Sequence, residues 1–333
     1  MFQYLFLLWS KMAKQCPVCS GKEVIKKGRR DGKQRYRCKD CFHNFSYSNE
    51  GVRLSNQFVW FRKWIMERQV YKYLVRDSGM SQSSIQRLFK TYLKSPPENV
   101  IRSKGNVHLL IDGTYFTNGL CLVLYYDYDI QYVQLFRETN DEKYKEIKED
   151  LENLKRLGVD VYSVTCDGHR ALLKAVAKAC PNAIVQRCLV HIKRQVKNYL
   201  SSSPKLEQAK QLLAISRKIT RLKTIEQAQY WLVDFYKWYQ EHHLFVEEKS
   251  FNEESGRWWY KHKNLHMACS HLINAIPHMF CYLNDPEIPY STNQLEGYFT
   301  HLKEKLTLHR GLRFESKRNF IKWYIHFKNE QVK

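Results

Sequence analysis

The apolar positions of residues 51–95 recur at the spacing of an α-helix. Phe58 and Ile65 fall on one face of a first helix, and a second short apolar run follows it. Ser81 comes after a glycine-containing break and is a suitable N-cap for a third helix over residues 82–93. Three helices with a glycine turn before the last are typical of a helix-turn-helix.

From residue 107 onward the pattern changes to short apolar runs that are typical of buried strands. The predicted strands cover residues 107–111, 120–126, 131–136, 161–166 and 183–186. The predicted helices cover residues 139–157 and 168–179. Three strands, a helix, a strand, a helix and a strand predict an α/β fold with a mixed sheet and helices on its faces.

Residues 188–285 have little strand pattern and are rich in helix formers and aromatic side chains, so we expect a mostly helical segment. A last long helix is predicted over residues 291–306. The opening stretch is apolar but too short to cross a bilayer, which takes ~20 apolar residues. It also lacks a signal-peptide pattern. We expect Met12 to be the true start and residues 1–11 to be an upstream extension.

The charge of the chain is strongly positive and unevenly distributed. The 333 residues contain 55 Lys and Arg against 33 Asp and Glu, a net charge of +22, and 44% are hydrophobic, which is enough for a buried core. Residues 1–106 alone hold 22 basic and 7 acidic residues. So concentrated a positive field attracts polyanions, and nucleic acid is the commonest of them. Without an amphipathic basic helix or a lipidation motif, we expect no membrane partner.

Four of the ten cysteines form two tight pairs near the N-terminus, with 18 residues between the pairs. They are Cys16, Cys19, Cys38 and Cys41. Two Cys-x2-Cys turns can supply the four sulfurs of a tetrahedral Zn²⁺ site, so a zinc ribbon is predicted, with disulfides or free thiols as the alternatives. The other cysteines are scattered, which favours a reducing cytoplasm over a secreted disulfide scaffold.

Basic and polar side chains near the N-terminus are candidates for DNA contact. Arg29, Arg30, Arg35 and Arg37 lie between the two cysteine pairs. Gln86, Arg87 and Lys90 lie on the polar face of the predicted third helix and are of types that reach bases and phosphates. A plain three-helix bundle with a solvated polar face is the alternative for this helix.

Three carboxylates suggest a metal site. Asp112 and Asp167 each follow an apolar run and precede a glycine, and ligand sites cluster at the carboxyl ends of such strands. Glu296 lies early in the predicted last helix, with Lys303 on the same face and Arg310 near its end as DNA contacts. Each acid taken singly suits a cap or a solvated position. Together they suit Mg²⁺, which prefers oxygen ligands and leaves positions open for phosphate.

The phrases IDGTYF, TCDGHRALLKAV, QRCLVHIKRQVKNYL and TNQLEGYFTHLKEKLTLHRGL resemble the Mutator-like superfamily of DDE transposases, of the bacterial insertion-sequence type. The resemblance covers roughly residues 105–315. It implies a ribonuclease-H-like fold with a helical insertion between the second Asp and the Glu. The acidic ligands of two Mg²⁺ or Mn²⁺ ions correspond to Asp112, Asp167 and Glu296.

The same resemblance extends to residues of the insertion. The Cys-x-x-His signature of the superfamily corresponds to Cys188 and His191, and its tryptophan corresponds to Trp258 or Trp259. Cys188 and His191 could form half of a second zinc site, but a packing or hydrogen-bonding role is favoured because no partner pair lies nearby. The implied reaction is attack of water on the phosphodiester at each element end, followed by attack of the freed 3′-hydroxyl on target DNA.

The resulting fold prediction is an α/β protein with a ribonuclease-H-like mixed sheet and a helical insertion, preceded by a zinc ribbon and a helix-turn-helix. The predicted segments are residues 1–13 as an extension, 14–50 as the ribbon, 51–95 as the helix-turn-helix, 104–187 with 286–315 as the catalytic domain, 188–285 as the insertion and 316–333 as a C-terminal tail.

The predicted function is that of an insertion-sequence transposase that binds element ends and target DNA and cuts and joins strands with two divalent ions. Pairing two ends implies a homodimer or a higher assembly, and the expected location is the cytoplasm, with the nucleoid. An inactive or domesticated DNA-binding regulator with the same fold is the alternative. Another ribonuclease-H-like nuclease, such as a resolvase, is disfavoured by the ribbon, the helix-turn-helix and the long insertion.

Overall fold

The computed structural model describes residues 16–332, apart from residues 17, 20, 31, 32, 47–49, 103 and 104. The expected extension at residues 1–13, and with it the start at Met12, lies outside the described residues. Within the described part of the chain, every helix is too short or too polar to cross a membrane.

A small antiparallel sheet comes first. Its strands are β1 (Val24–Arg30), β2 (Lys33–Cys38) and β3 (Asn44–Ser46), paired in chain order. Few side chains of this sheet are buried. Cys38 at the end of β2 is one of them, and Cys16, which precedes the sheet, is also buried. Because a unit of this size cannot bury enough apolar surface, it needs another source of stability, such as a bound metal.

Three helices follow, as the apolar spacing predicts. They are α1 (Glu50–Met66), α2 (Tyr71–Ser78) and α3 (Gln82–Lys94). The hydroxyl oxygen of Ser81 accepts a hydrogen bond from the backbone N–H of Ser84 at 3.2 Å, so Ser81 is the N-cap of α3.

A five-stranded mixed sheet forms the centre of the molecule. Its strands are β4 (Asn106–Tyr115), β5 (Cys121–Asp127), β6 (Tyr132–Thr139), β7 (Asp160–Cys166) and β8 (Ile184–Arg187). The order across the sheet is β6-β5-β4-β7-β8, with antiparallel pairing from β6 to β4 and parallel pairing from β4 to β8. The predicted α/β fold with a mixed sheet is confirmed. Two helices, α4 (Tyr144–Arg156) and α5 (Arg170–Ala179), pack on one face.

Two boundaries near this sheet differ from the prediction. The helix expected from residue 139 begins at Tyr144, because Thr139 still pairs with Cys121 as the last residue of β6. The first strand continues to Tyr115 instead of ending at residue 111, because β5 pairs with its whole second half. Asp112 therefore lies inside β4 and not after it, which corrects the expected position.

The segment from residue 188 to residue 285 is mostly helical, as expected, and has a core of its own. Its helices are α6 (Leu189–Leu200), α7 (Glu207–Lys218), α8 (Ile225–Val246), α9 (Lys263–Ile273) and α10 (Cys281–Asn284). The prediction did not include a short hairpin of two strands, β9 (Lys249–Phe251) and β10 (Trp258–Tyr260), between α8 and α9.

Two helices complete the chain, α11 (Asn293–Leu308) and α12 (Phe314–Glu330). The predicted last long helix corresponds to α11, but residues 316–333, expected to be a tail, belong largely to α12. Phe320, Tyr324 and Phe327 of α12 are buried in one core with α1, α2 and α3, with α11 and with the second face of the central sheet. This core joins the N-terminal helices to the sheet.

We predict that Phe327→Ala lowers the free energy of unfolding by about 3–5 kcal/mol, the usual loss for a buried phenylalanine. Phe327 is 0% exposed and packs edge-on against Phe58 of α1, with ring centroids 5.7 Å apart. Phe314→Ala is the matched control, because Phe314 begins the same helix but is 44% exposed. Urea unfolding monitored by tryptophan fluorescence measures both. Equal losses in the two variants would contradict the packing of α12 described here.

Candidate active site

The four N-terminal cysteines meet at one point. Their sulfur atoms all lie within 4.8 Å of one another, with 3.5 Å between Cys16 and Cys41 and 3.5 Å between Cys19 and Cys38. Sulfurs around a tetrahedral zinc ion lie about 3.8 Å apart, given zinc–sulfur bonds of about 2.3 Å. The cluster can therefore hold zinc, and all four cysteines are free of disulfides.

Backbone geometry supports this cluster. The N–H of Cys16 donates to the carbonyl oxygen of Gly21 at 2.8 Å, which closes the first turn. A Cβ atom on Gly21 would lie 2.0 Å from a carboxylate oxygen of Asp40 and 3.2 Å from the sulfur of Cys19. A larger residue at position 21 would therefore have to displace the Asp40 carboxylate and would crowd the sulfur of Cys19.

Asp112 and Asp167 are brought together by parallel strands. The parallel pairing of β4 and β7 runs to Ile111 opposite Cys166, so the next residue on each strand is one of the two aspartates. Asp112 Oδ1 accepts the N–H of Gly113 at 2.9 Å, and Asp167 Oδ1 accepts the N–H of His169 at 2.8 Å. These bonds fix one oxygen of each carboxylate.

A buried arginine supports the loop that carries Asp167, and the sequence analysis did not find it. Arg187, the last residue of β8, donates from Nη2 to the carbonyl oxygen of Asp167 at 3.3 Å. A Cβ atom on Gly168 would lie 2.0 Å from Nε of Arg187, and Gly168 has a φ of +86°. Gly168 is therefore required twice, for its backbone conformation and for the close approach of the guanidinium.

Glu296 faces two cationic side chains of α6. Its Oε2 accepts a hydrogen bond from Nη2 of Arg194 at 2.9 Å, and its Oε1 lies 3.2 Å from Nε2 of His191. The second contact lacks hydrogen-bond geometry, so Oε1 is buried without a hydrogen-bond partner among the described residues. This oxygen forms an ion pair but no hydrogen bond, so it retains an acceptor position that a bound divalent cation could occupy.

Hydrogen bonds through Thr292 join Cys188 to His191, and His191 forms an ion pair with Glu296. Thr292 donates from its N–H to Cys188 Sγ at 3.3 Å, and its hydroxyl lies 3.3 Å from Nδ1 of His191. Cys188 is fully buried. Within the described part of the chain, the only group of three or more metal-ligating side chains with ligand atoms within 4.8 Å of one another is that of the four N-terminal cysteines. The geometry favours the hydrogen-bonding role for this pair.

The pKa values of Asp112 and His191 are shifted because several acidic side chains lie close together in a partly buried site. Burial, together with the charges of Asp167 and Glu296, raises the pKa of Asp112 to about 6, while the charge of His191 opposes the shift. Burial alone would lower the pKa of His191, but Cys188, Asp112 and Glu296 raise it to about 9. His191 is therefore a cation at neutral pH and offsets part of the negative charge.

A fourth acid, Glu142, lies at the same place and was missed by the sequence analysis. Burial and the charges of Asp167 and Asp112 raise its pKa to about 7. Glu142 belongs to the segment before α4 that the prediction assigned to a helix. Its proximity to β4 is a tertiary feature, which no local pattern reveals.

The donor set suits a hard divalent cation, because it consists of carboxylate oxygens at the carboxyl end of a parallel strand pair. No three of these acidic side chains, nor of the acids with His191, have ligand atoms within 4.8 Å of one another in the described structure. Like charges keep such oxygens apart until a cation joins them. Asp167 and Glu296 are close enough for their charges to act on Asp112, and Glu296 is turned toward α6.

The residues predicted to contact DNA lie at several surfaces. Gln86, Arg87 and Lys90 are all exposed on α3, and Arg310 is exposed after α11. Lys303 is exposed, and its ammonium lies 5.5 Å from the ring centre of Phe116, which directly follows β4. This contact places Lys303 near the strand that carries Asp112.

The arginines of the small sheet differ in their surroundings. Arg29 and Arg30 are exposed on β1, whereas Arg35 and Arg37 on β2 are partly buried. The guanidinium of Arg37 stacks over Phe42 with 5.2 Å to the ring centre. We expect Arg29 to be more accessible to DNA than Arg37.

The two candidate tryptophans lie on the exposed hairpin of the helical segment. Trp258 and Trp259 on β10 are 54% and 49% exposed, and the ammonium of Lys249 lies 4.3 Å from the ring centre of Trp258. The structure leaves the choice between them open, because both rings are accessible to a partner.

Residues 135–249 match the family model described as Transposase, Mutator family. The matched segment runs from β6 to β9 and includes Asp167, Cys188 and His191. This match to a Mutator family transposase model confirms the resemblance read from the sequence. No curated protein matches the chain.

We predict that Asp112→Asn stabilises the metal-free protein at pH 8, raising its melting temperature by a few degrees. The raised pKa of Asp112, about 6, means that ionisation costs folding energy as the pH rises from about 4, the unfolded value, through 6. The gain should therefore vanish near pH 4. Asp160→Asn is the control, because Asp160 is exposed at the opposite end of β7. Calorimetry at both pH values tests this, and a lower melting temperature at pH 8 would contradict it.

We predict that the purified protein holds one zinc ion, released by Cys38→Ser and retained by Cys281→Ser. Cys38 is one of the four clustered sulfurs, whereas Cys281 begins α10 and donates to the carbonyl of Val185 at 3.4 Å. A chromogenic chelator with an organomercurial measures zinc per chain. Retention of a full equivalent by the Cys38 variant would exclude the cluster as the zinc ligand set.

Proposed function

We propose that this protein is a DNA transposase of the insertion-sequence type, which binds the ends of its element and cuts and joins DNA at Asp112, Asp167 and Glu296. The observation that carries the proposal is the junction of β4 and β7. There the Asp167 of the Mutator family segment lies beside Asp112, at the end of the parallel pairing.

The fold supports a ribonuclease-H-like catalytic domain. Three antiparallel strands are followed by two parallel ones, with helices packed against both faces of the sheet. The helical segment with its own core follows β8 and precedes α11, the helix of Glu296. This arrangement agrees with an insertion between the second Asp and the Glu.

The chemistry follows from charge and position. Divalent cations held by Asp112, Asp167 and Glu296 would activate the attacking oxygen and stabilise the leaving oxygen of the phosphodiester. The chain itself orients the acids: Arg187 supports the Asp167 loop, and His191 and Arg194 hold the Glu296 carboxylate toward α6. Positioning of this kind supplies much of the rate in phosphoryl transfer.

DNA binding is assigned to three parts of the chain. The zinc-held sheet with Arg29 and the helix-turn-helix with Arg87 would bind element ends, since both expose basic side chains from the most basic third of the chain. Lys303 lies beside the end of β4 and would contact phosphate near the acids. Pairing two ends requires at least a dimer in the complex.

We predict that the purified protein, with Mg²⁺, cuts labelled fragments of the DNA flanking its own coding sequence and joins their 3′ ends to plasmid DNA. Asp167→Asn should lower both products by at least about a hundredfold, since even small displacements of a catalytic group have that effect. Asp160→Asn, the same substitution at the exposed start of β7, should leave both unchanged.

The outcomes separate the proposal from its alternatives. A regulator would bind the flanking fragments without cutting them, and a nuclease would cut without joining. Full activity of the Asp167 variant would show that the acids are assigned to the wrong site. A gel assay that resolves cut and joined products from one reaction distinguishes all of these.

A further inference from the structure

One face of α8 exposes a line of apolar side chains, here called the α8 face. Tyr230, Val233, Tyr236 and Leu244 are 65%, 48%, 49% and 78% exposed. All four lie within about a third of the helix circumference. Single exposed apolar side chains are common, but several on one face of one helix indicate a contact surface. The opposite face of α8 is buried in the core of the helical segment, so the exposed face is held in a fixed position.

The charges around these side chains argue against DNA as the partner of the α8 face. Glu226, Asp234 and Glu241 are exposed on the helix, and Lys237 is its one Lys or Arg. The surface is therefore acidic on balance, although the whole chain carries a charge of +22. DNA is a polyanion and requires the opposite sign. A protein surface with complementary charges fits better.

The two charged residues nearest the middle of the α8 face are available for pairing. Lys237 takes part in none of the ion pairs of the described residues, and its side chain is exposed. Asp234 Oδ2 lies 3.2 Å from Lys218 Nζ of α7, and both side chains of that pair are more than half exposed. Asp234 can therefore accept a second cation from a partner.

A second copy of α8 that runs antiparallel supplies that cation. Because a helix turns about 100° per residue, Asp234 and Lys237 lie about 60° apart on the same flank of the α8 face. With a two-fold axis passing between residues 235 and 236, Asp234 of each copy lies opposite Lys237 of the other. Val233 and Tyr236 of both copies then meet near the axis. A two-fold contact makes each of these pairs twice, so the α8 face is complementary to itself.

We propose that the α8 face is a dimer interface, at which two copies of this chain pack their α8 helices antiparallel and pair Asp234 with Lys237. This inference deepens the proposed function, which requires two copies to hold two element ends, and its role in pairing ends rests on that proposal. The interface itself depends only on α8 and not on the acids of the candidate active site.

The test measures the dissociation constant of the dimer by analytical ultracentrifugation of the full-length, zinc-loaded protein without DNA. Lys237→Asp places like charges opposite each other and should weaken the dimer at least about tenfold. Lys197→Asp is the matched control, because Lys197 is exposed on α6 of the same helical segment and the change in net charge is identical. It should dimerise as the wild type does.

A charge exchange separates this interface from a general effect on folding. Asp234→Lys alone should also weaken the dimer, whereas the double variant with Asp234→Lys and Lys237→Asp should restore most of the affinity, because the reciprocal pairs form again. Val233→Asp, at the centre of the α8 face, should weaken the dimer without lowering the melting temperature, since Val233 is 48% exposed. Failure of the double variant to restore dimerisation would overturn the reciprocal pairing.

Other outcomes assign the surface differently. A wild-type protein that stays monomeric overturns the inference. If that monomer loses affinity for labelled flanking DNA through Lys237→Asp, the α8 face binds DNA instead. A dimer that is insensitive to both Lys237→Asp and Val233→Asp uses another surface, which also overturns the inference.

Cutting and joining of DNA by the same preparations separates this inference from the proposed function. A monomer in solution that still cuts and joins the flanking fragments refutes the α8 interface and leaves the proposed function standing. A dimer that depends on Lys237 in a protein that neither cuts nor joins DNA supports the interface and refutes the proposed function.

Discussion

The parallel pairing of β4 and β7 is the constraint on which the site depends, because it holds two acids side by side that repel each other. Pairing stops at Ile111 and Cys166, and the next residue on each strand is an aspartate. Burial and this repulsion disfavour the ionised form of Asp112, and its pKa rises to about 6. The sheet hydrogen bonds and the buried apolar strands around them offset this repulsion, so the fold sets the position of the acids before any ligand arrives.

Glu296, the third acid of the proposed site, is positioned by a different part of the molecule. Leu295, Phe299 and Leu302 of α11 lie in the core that also contains α1, α3 and α12. Trp64 of α1 packs at the centre of that core. Glu296 is therefore fixed to the same packed body as the exposed face of α3. Because packed cores transmit displacement, DNA bound at α3 would have a defined position relative to Glu296.

Most of the sheet was predicted from runs of buried apolar residues, which are typical of parallel strands. Both aspartates end or interrupt such a run. Boundaries were less accurate where two elements adjoin: Thr139 suits a helix start by type, yet its pairing with Cys121 keeps it in β6. The helix α12 was missed because its apolar stripe is interspersed with lysines and arginines and resembles a charged tail. Glu142 could not be found from sequence, since its proximity to Gly113 exists only in the folded chain.

The charges around the site explain why Glu296 points toward α6. His191 and Arg194 form ion pairs with its carboxylate. Thr292 orients the His191 ring, and Cys188, Asp112 and Glu296 keep His191 charged. These two cations neutralise only part of the charge of Asp112, Asp167, Glu142 and Glu296. The excess of negative charge would attract divalent ions, and bound ions would in turn favour the approach of a DNA phosphate. A divalent ion would compete with Arg194 of α6 for the Glu296 carboxylate. The hydrogen bond from Arg194 holds that carboxylate in one orientation.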